Sequence, residues 1–422
     1  MAQIKWKVAI LGGGASGLAS SIIIKQKLGE LVDVTVVERM ERVGKKILST
    51  GGGKANILNA KPCNNFTFNH PDFMQMYLKK YNYKKILKWF LSIGLVTTEL
   101  NEGRIYPKSE SANSVLDTIR LKMKDLGVHE LCNFEVKRIS FVDNKYKIES
   151  TRMTSIEADF VILAFGGKSS PMLGSNGSCF DILKKMKIDV TPIYPGLTGL
   201  KVEESVLKGL DGLRSKAKVS LFVKKQKEPY YVESGEIQFK NNALSGIVMM
   251  NVSSIISRLL VNKNETPSHI SIDLLPEYSS EELKELLIAR QKELNSYSNI
   301  NYLLGIFSKM LAQNILKRAR ISLDGNVHDL DKRDLNRIVD GIKKWDINFI
   351  SVDTFEHSQV SVGGININEV NIDLELVKYP RMFVTGELLD IDALCGGYNL
   401  EWAWISSMVA ANAICQRIKD MW

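Results

Sequence analysis

The chain has 422 residues, 45% hydrophobic, 24% charged and 8% aromatic, a composition that excludes wholesale disorder, collagen and coiled coil. At roughly 150 residues per domain the length predicts about three domains, enough to bury a core without disulfides or metals. Lys and Arg number 56 against 47 Asp and Glu, a formal charge of +9 that suggests an anionic partner and carries no information on fold.

In chain order, residues 8–11 are a short aliphatic strand and residues 12–17 a glycine turn. Residues 15–28 have helical periodicity, and residues 34–37 form a second apolar strand. Continuous apolar strands joined by a helix predict a parallel sheet covered on both faces. Residues 72–93 place lysines between apolar positions at helical spacing, and 111–126 read as another helix. FEVKRISFV and YKIES suggest a hairpin, followed by a buried strand at 160–164. Pro192, Pro195, Gly196 and Gly199 then break regular structure. AKVSLFVKK and YYVESGEIQF alternate as strands do. Residues 280–345 turn helical and basic, strands follow near 348–352, 359–367 and 382–385, and a last helix spans about 400–420. The expectation is one discontinuous α/β domain interrupted by a β-rich and helical insert.

Cys63, Cys132, Cys179, Cys395 and Cys415 are scattered and form no C-x-x-C, which argues for a reducing compartment and against a disulfide framework or zinc ribbon. The first residues lead straight into glycines without an export-type cleavage site. The longest apolar stretch, 244–260, is broken by Asn251 and Arg258 and falls short of the ~20 residues a membrane span needs. The expected location is the cytoplasm. His70, His129, His269, His328 and His357 have no metal-ligand spacing, so no metal is expected; His357 is kept as a site candidate for its place before the 359–367 strand.

GGGASG at 12–17 is a G-x-G-x-x-G with a strand before it and a helix after it. Gly12 permits the tight turn, Gly14 lets backbone approach a pyrophosphate, and Gly17 lets helix and strand pack closely. Ala15 and Ser16 open the helix, whose free N–H groups suit phosphate. Glu38 ends the second strand 21 residues after Gly17, where a carboxylate can accept from a ribose diol. Arg39 follows it, over the adenine or in solvent. Three further clusters select FAD: Ala164 to Gly166 after the 160–164 strand, Gly386-Glu387 with Asp390 after the 382–385 strand, and Gly397 with Asn399 at the last helix. An acidic residue after such a strand suits ribityl hydroxyls, and a helix start suits a flavin pyrimidine edge. No second G-x-G-x-x-G occurs, so NAD(P)H would have to bind transiently at the flavin as electron donor.

Beyond GGGASG and VVER at 36–39, the matching blocks are GKKILSTGGGKAN at 44–56, GRIYPKSESANSVLD at 103–117 and LAFGGKSSPMLGSNGSCFDI at 163–182. They continue with ALSGIVMMNVS at 243–253, VSVGGININEV at 360–370 and VTGELLDIDALCGGYNLEWAW at 384–404. Through these the chain resembles the BaiN/YhiN-like flavoproteins, FAD-dependent oxidoreductases with an HI-type insert. The resemblance implies a two-dinucleotide-binding-type, Rossmann-like FAD domain at 1–190 and 350–422. It implies a β-barrel-like domain at 191–250 and 265–280, and a helical insert at 281–349. Lys45, Gly53, Val136 and Leu400 join the expected FAD contacts. Where the family carries S-G-G-G-R-C-N, this chain has Lys54-Ala55-Asn56 after its glycines, so the cysteine is absent and lysine loses arginine's planar fork.

Lys54 could stabilise a reduced flavin or an enolate, or simply be solvated. Asn56 is a contact candidate near the ring or substrate, with Gly363 and Gly364. Tyr106 is either a proton donor to an enone or a packing residue. The resemblance implies reduction of steroid or bile-acid enones, oxidation of a small amino ketone, or formation of dihydrouridine in ribosomal RNA. Three readings stand: a reductase of a conjugated C=C in a small molecule, an RNA-modifying reductase, and a flavin-binding protein without catalysis. The lysines at 79, 80, 84, 85 and 88, and the basic residues at 317–320 and 332–337, would suit RNA phosphates or remain solvated. The sequence assigns no oligomeric state.

Overall fold

The computed structural model describes residues 5–421. The chain divides into two compact units, the first running to Gly196 and resuming at Phe355, the second spanning Leu197–Thr354.

The first unit is built on a five-stranded parallel sheet. Strand β1 (Trp6–Leu11) lies at its centre, between β2 (Val32–Val37) and β4 (Phe160–Leu163). The edges are β3 (His129–Leu131) beside β2 and β5 (Met382–Val384) beside β4. Trp6 pairs with Val32, Val8 with Phe160 and Val161 with Met382. All four residues of β4 are buried, as expected for a strand covered on both faces. Helix α1 (Ala15–Leu28) links β1 to β2. Buried Lys25 caps its end by donating to the Gly29 and Val32 carbonyls at 3.0 and 3.2 Å. Here a cation meets the negative pole of the helix.

The last helix, α4 (Tyr398–Asp420), crosses the same core. Ser407 Oγ donates to Ser16 O at 2.7 Å, Trp402 Nε1 to Gly386 O at 3.0 Å and Trp404 Nε1 to Ile57 O at 2.9 Å. Both indoles are essentially inaccessible, so each N–H had to find an acceptor. Residues 72–93 are not one helix. The chain forms α2 (Pro71–Lys80) and α3 (Tyr83–Ser92), because Tyr81 leaves helical geometry and Asn82 starts a new helix. The Asn82 side chain accepts from Lys85 N at 3.1 Å, an N-cap that makes a restart favourable.

The second unit is a seven-stranded antiparallel sheet in the order 345–347, 267–273, 214–223, 231–239, 243–245, 200–202, 349–352. Its two edge strands are consecutive in sequence, separated by Asn348 alone. The sheet is therefore curled until its edges meet, which is a barrel. Trp345–Ile347, expected in the helical insert, extends this sheet, and Phe349–Val352, expected in the returning FAD segment, pairs with Leu200–Val202. The period-2 signal of such short strands says where a strand is, not which sheet receives it. The apolar stretch near 250 is a helix, Ile247–Asn262, buried against the barrel strands. Ser253 and Ser254 on it accept from the Thr198 and Leu197 amides at 3.0 and 2.7 Å. Helices at 280–293, 309–318 and 332–343 belong to the same unit. Among the described residues no helix is long and apolar enough to cross a membrane.

Candidate functional site

The glycine turn after β1 is held by backbone. Gly12 N donates to Val37 O at 2.8 Å, its φ is +123°, and a Cβ there would stand 2.1 Å from Ala164 O. A Cβ on Gly17 would stand 2.0 Å from Gly12 O, so that glycine serves helix–strand packing. Gly14 differs, with nothing within 4 Å of its Cβ position. It is the N-cap of α1, has no side chain to cap the helix, and no acidic residue occupies the first turn. The free N–H groups and positive pole of α1 are thus available to an anion.

Glu38 stands at the end of β2. Its Oε2 accepts from Gly13 N and its Oε1 from Met40 N, both at 2.9 Å. The carboxylate is fixed beside the turn and keeps lone pairs for a diol. Arg39 reaches sideways, 3.4 Å from Glu135 and 3.5 Å from Gly174 O, and closes the wall.

These groups open onto a cleft with about 1370 Å³ of space free of protein atoms, part of it open to solvent. Gly12, Gly14, Ala15, Ser16, Glu38, Arg39, Lys45, Val136, Ala164, Gly166, Gly386, Glu387, Asn399 and Leu400 all line it. Gly17, Gly53, Asp390 and Gly397 do not. Asp390 is bonded away from it, to Asn69 Nδ2 at 2.8 Å and Thr191 Oγ1 at 3.0 Å. Gly397 caps α4 with φ +98°, its Cβ position 2.7 Å from Leu58 O.

Several wall residues escaped the sequence reading: Arg42, Lys46, the segment 173–179, Gln359 and Val360. Lys46 is the informative one. Lys45 pairs with Glu41 at 2.6 Å, whereas Lys46 Nζ lies 2.8 Å from Glu387 Oε2 and 2.6 Å from Ser169 Oγ. Glu387 Oε1 accepts from Ser361 N at 2.6 Å and faces Ser169 Oγ at 3.1 Å. Glu387 therefore ties four cleft segments together. The signal lay in GGKSSPMLGSNGSC, whose serines and glycines form wall and network.

Lys54, Asn56 and Tyr106 lie off the lining. Lys54 Nζ pairs with Glu110 at 3.0 Å, and the hydrogen bond and charge of Glu110 raise its pKa. Asn56 Oδ1 is buried without a partner, 2.8 Å from the Cβ position of Gly397. Tyr106 sits in strand Arg104–Pro107, paired with Thr98. Gly363 and Gly364 pack on backbone at Pro192 and Leu388, and His357 is exposed. Ala55 is fully buried with φ +56°.

Glu401, one turn into α4, is 3% exposed, and burial pushes its carboxyl up to about 8. Burial also pushes the Cys63 thiol and the Tyr398 phenol up to about 12, with the Glu401 charge contributing to both. An unfolded glutamate titrates near 4.3, so folding favours the protonated form. The stability Glu401 contributes is present in full below that pH and is lost as pH rises toward about 8. Glu401→Gln is expected to flatten this decline: unfolding midpoints of variant and parent coincide near about pH 5 and separate near about pH 8 with the variant higher. Parallel curves in urea titrations at the two pH values would sink the assignment.

The glycine turn, the uncapped helix start and the carboxylate at the end of β2 define a Rossmann-type dinucleotide-binding protein, and the cleft wall, with Glu38, Glu387 and the start of α4, carries donors and acceptors that suit FAD. A family model described as the HI0933-like protein Rossmann domain matches residues 6–413, and the chain belongs to that family. It is 30% identical over 413 residues to a 3-dehydro-bile acid delta(4,6)-reductase of Clostridium scindens, covering 97% of this chain and 99% of that one. It is 24% identical over 416 residues to a ribosomal RNA dihydrouridine synthase of Haemophilus influenzae, covering 97% and 98%. Among solved structures, a 3-ketosteroid-delta4-(5alpha)-dehydrogenase of Rhodococcus jostii aligns over 97% of this chain and 98% of its own at TM-score 0.45 and 10% identity. The chain is an oxidoreductase of the flavoprotein type.

Glu38→Ala removes the carboxylate expected to accept from a ribose diol and strands the Gly13 and Met40 amides. Hydrogen bonds to a charged group contribute about 1.5–3 kcal/mol, so FAD affinity should fall roughly 10- to 100-fold, read by fluorescence titration of the apoprotein. Unchanged affinity would show that the ribose lies elsewhere.

Proposed function

We propose that the protein is a cytoplasmic FAD-dependent reductase of a conjugated C=C in a small molecule of the steroid or bile-acid enone class. FAD, when bound, supplies a hydride to the β-carbon of the enone. The chain supplies the rest. The start of α1 holds the pyrophosphate and Glu38 the ribose. The Lys46–Glu387–Ser169 network fixes the wall beside the ribityl chain. The N-terminus of α4, with Asn399 and Leu400 in the wall, offers N–H groups to the pyrimidine edge. The observation that carries the reading is this cleft in a chain collinear with a bile-acid reductase at 30% identity.

The cysteine of the relatives has no counterpart at Ala55, so the proton for the α-carbon comes from another donor or from water. Tyr106 lies off the cleft lining, so Tyr106→Phe is expected to leave kcat unchanged. The deciding experiment is purification, release and identification of FAD, and anaerobic turnover of a panel of 3-oxo-Δ4 and Δ4,6 steroids with dithionite, NADH or NADPH as reductant. Saturation of the double bond supports the reading. A reducible flavin that no enone reoxidises, with dihydrouridine lost from ribosomal RNA of a deletion strain, would replace it with the RNA reading that the 24% relative represents.

A further inference from the structure

Helices α2 and α3 present a face that the dinucleotide site does not use. Lys79, Lys80, Lys84, Lys85 and Lys88 are all exposed, and no Asp or Glu occurs between Asp72 and Glu99. Lys80 and Lys85 lie over the ring of Tyr81 at 5.5 and 4.7 Å. Exposed Lys27 joins the patch through Asn412, which accepts from Lys27 Nζ at 2.5 Å and reaches Tyr81 Oη at 3.2 Å. Three aliphatic chains stand out nearby, Met76, Leu91 and Val96, each at least half exposed.

The opposite side of α3 packs on α4. Trp89 and Phe90 pack on Trp404, with ring centroids 6.0 and 5.4 Å apart. Trp404 belongs to α4, the helix whose Leu400 and Ala403 line the cleft. The lysine face is therefore linked to the cleft wall through α3 and α4. The chain also lacks a second G-x-G-x-x-G that could hold a nicotinamide donor.

We propose that this face docks a small acidic electron-carrier protein that reduces the flavin, an inference that rests on the FAD reading above. Two carrier molecules each lose one electron, and with one proton from solvent these reduce FAD to the anionic form that can donate a hydride. Transient redox complexes bury little surface and rely on complementary charge, which matches a ring of lysines around a few aliphatic chains. A single-stranded RNA would ask for freely exposed aromatic rings, and here Tyr77, Tyr81 and Phe90 are buried, Trp89 is half-buried against Trp404, and Tyr83 is half-buried with Lys84 near its ring. A lipid surface would ask for a free apolar helix face, and that of α3 (Ile86 and Phe90) is committed to the core.

The test uses the FAD-loaded protein and an acidic [2Fe–2S] ferredoxin as probe. Calorimetry reads its binding in the oxidised state, and loss of the reduced cluster's EPR signal reads electron delivery. Binding is expected to weaken at least about tenfold between about 20 and 300 mM NaCl. The combined K84E/K85E/K88E protein is expected to lose at least about tenfold in both readouts while dithionite still bleaches its flavin. Should that variant not fold, salt dependence in the parent and single K85E and K88E proteins carry the test. Salt-insensitive or absent ferredoxin binding overturns the proposal, as does binding by these lysines of a ribosomal RNA fragment or anionic vesicles in place of ferredoxin. A yellow protein that ignores ferredoxin removes this inference alone, whereas a protein that takes up no FAD removes the functional reading with it.

Discussion

Gly12→Ala is expected to yield a protein that does not hold FAD. The added methyl meets Ala164 O at 2.1 Å and Ala164 C at 2.6 Å, backbone atoms that no side-chain rotation can move aside. The residue also sits at φ +123°, outside the range an alanine adopts without strain. Strain of about 1–3 kcal/mol comes with the dihedral alone. Relief requires the turn to leave β4, which pulls the N-terminus of α1 from the phosphate position. A loss of about 100-fold or more in FAD affinity, ~2.8 kcal/mol, should follow, with a lower unfolding temperature. Gly14→Ala is the informative partner, because its Cβ meets no protein atom. It should leave the apoprotein's stability unchanged and still weaken FAD binding. Equal thermal stability of Gly12→Ala and parent would mean that the turn tolerates what its geometry forbids.

Arg417→Ala is expected to be the most damaging change remote from the cleft. Glu375, 6% exposed, accepts from Arg417 Nη1 at 2.6 Å, from Arg417 Nη2, and from the Arg381 amide at 2.5 Å. Arg417 also lies over the ring of Phe383 in β5, 5.6 Å from its centroid, so the pair fastens the end of α4 to the sheet edge. Removing one partner leaves a carboxylate buried and unpaired at about 3 kcal/mol. For a unit of this size that is a fall of roughly 5 °C in unfolding midpoint, measured by calorimetry. The double variant Arg417→Met with Glu375→Gln, which leaves no charge behind, should recover most of the loss. A single variant with the parent's midpoint would mean that the pair contributes nothing.

The placement of the glycine turn and of Glu38 in the cleft wall was legible because the pattern is local in the sequence. A strand, three spaced glycines and an acid at the next strand end leave little freedom to tertiary structure. Lys46 was not legible beside Lys45. Both line the cleft, and which of the two reaches Glu387 depends on the phase of a four-residue helical turn, 45–48, set by packing from elsewhere. Asp390 carried the right chemistry but the wrong face: in the extended run after Leu389 the side chains alternate, so Ile391 lines the cleft and Asp390 turns to Asn69 and Thr191. Of the strands either side of Asn348, the one at 349–352 was expected but not its sheet, and 345–347 was read as helical, for another reason. Three- and four-residue strands carry little periodicity, and only the closing barrel assigns them to its two edges.

The order of segments in the first unit has a consequence for synthesis. Its central strand β1 is made first, but edge strand β5 and helix α4, which meets Ser16, come after residue 381. The second unit, complete at residue 354, can close its barrel on the ribosome while the first is still missing a strand and a helix. At about 5–20 residues per second, the nascent dinucleotide half waits some seconds with one sheet edge bare. The wall of the cleft, which includes Asn399 and Leu400, is thus completed after the barrel has been made.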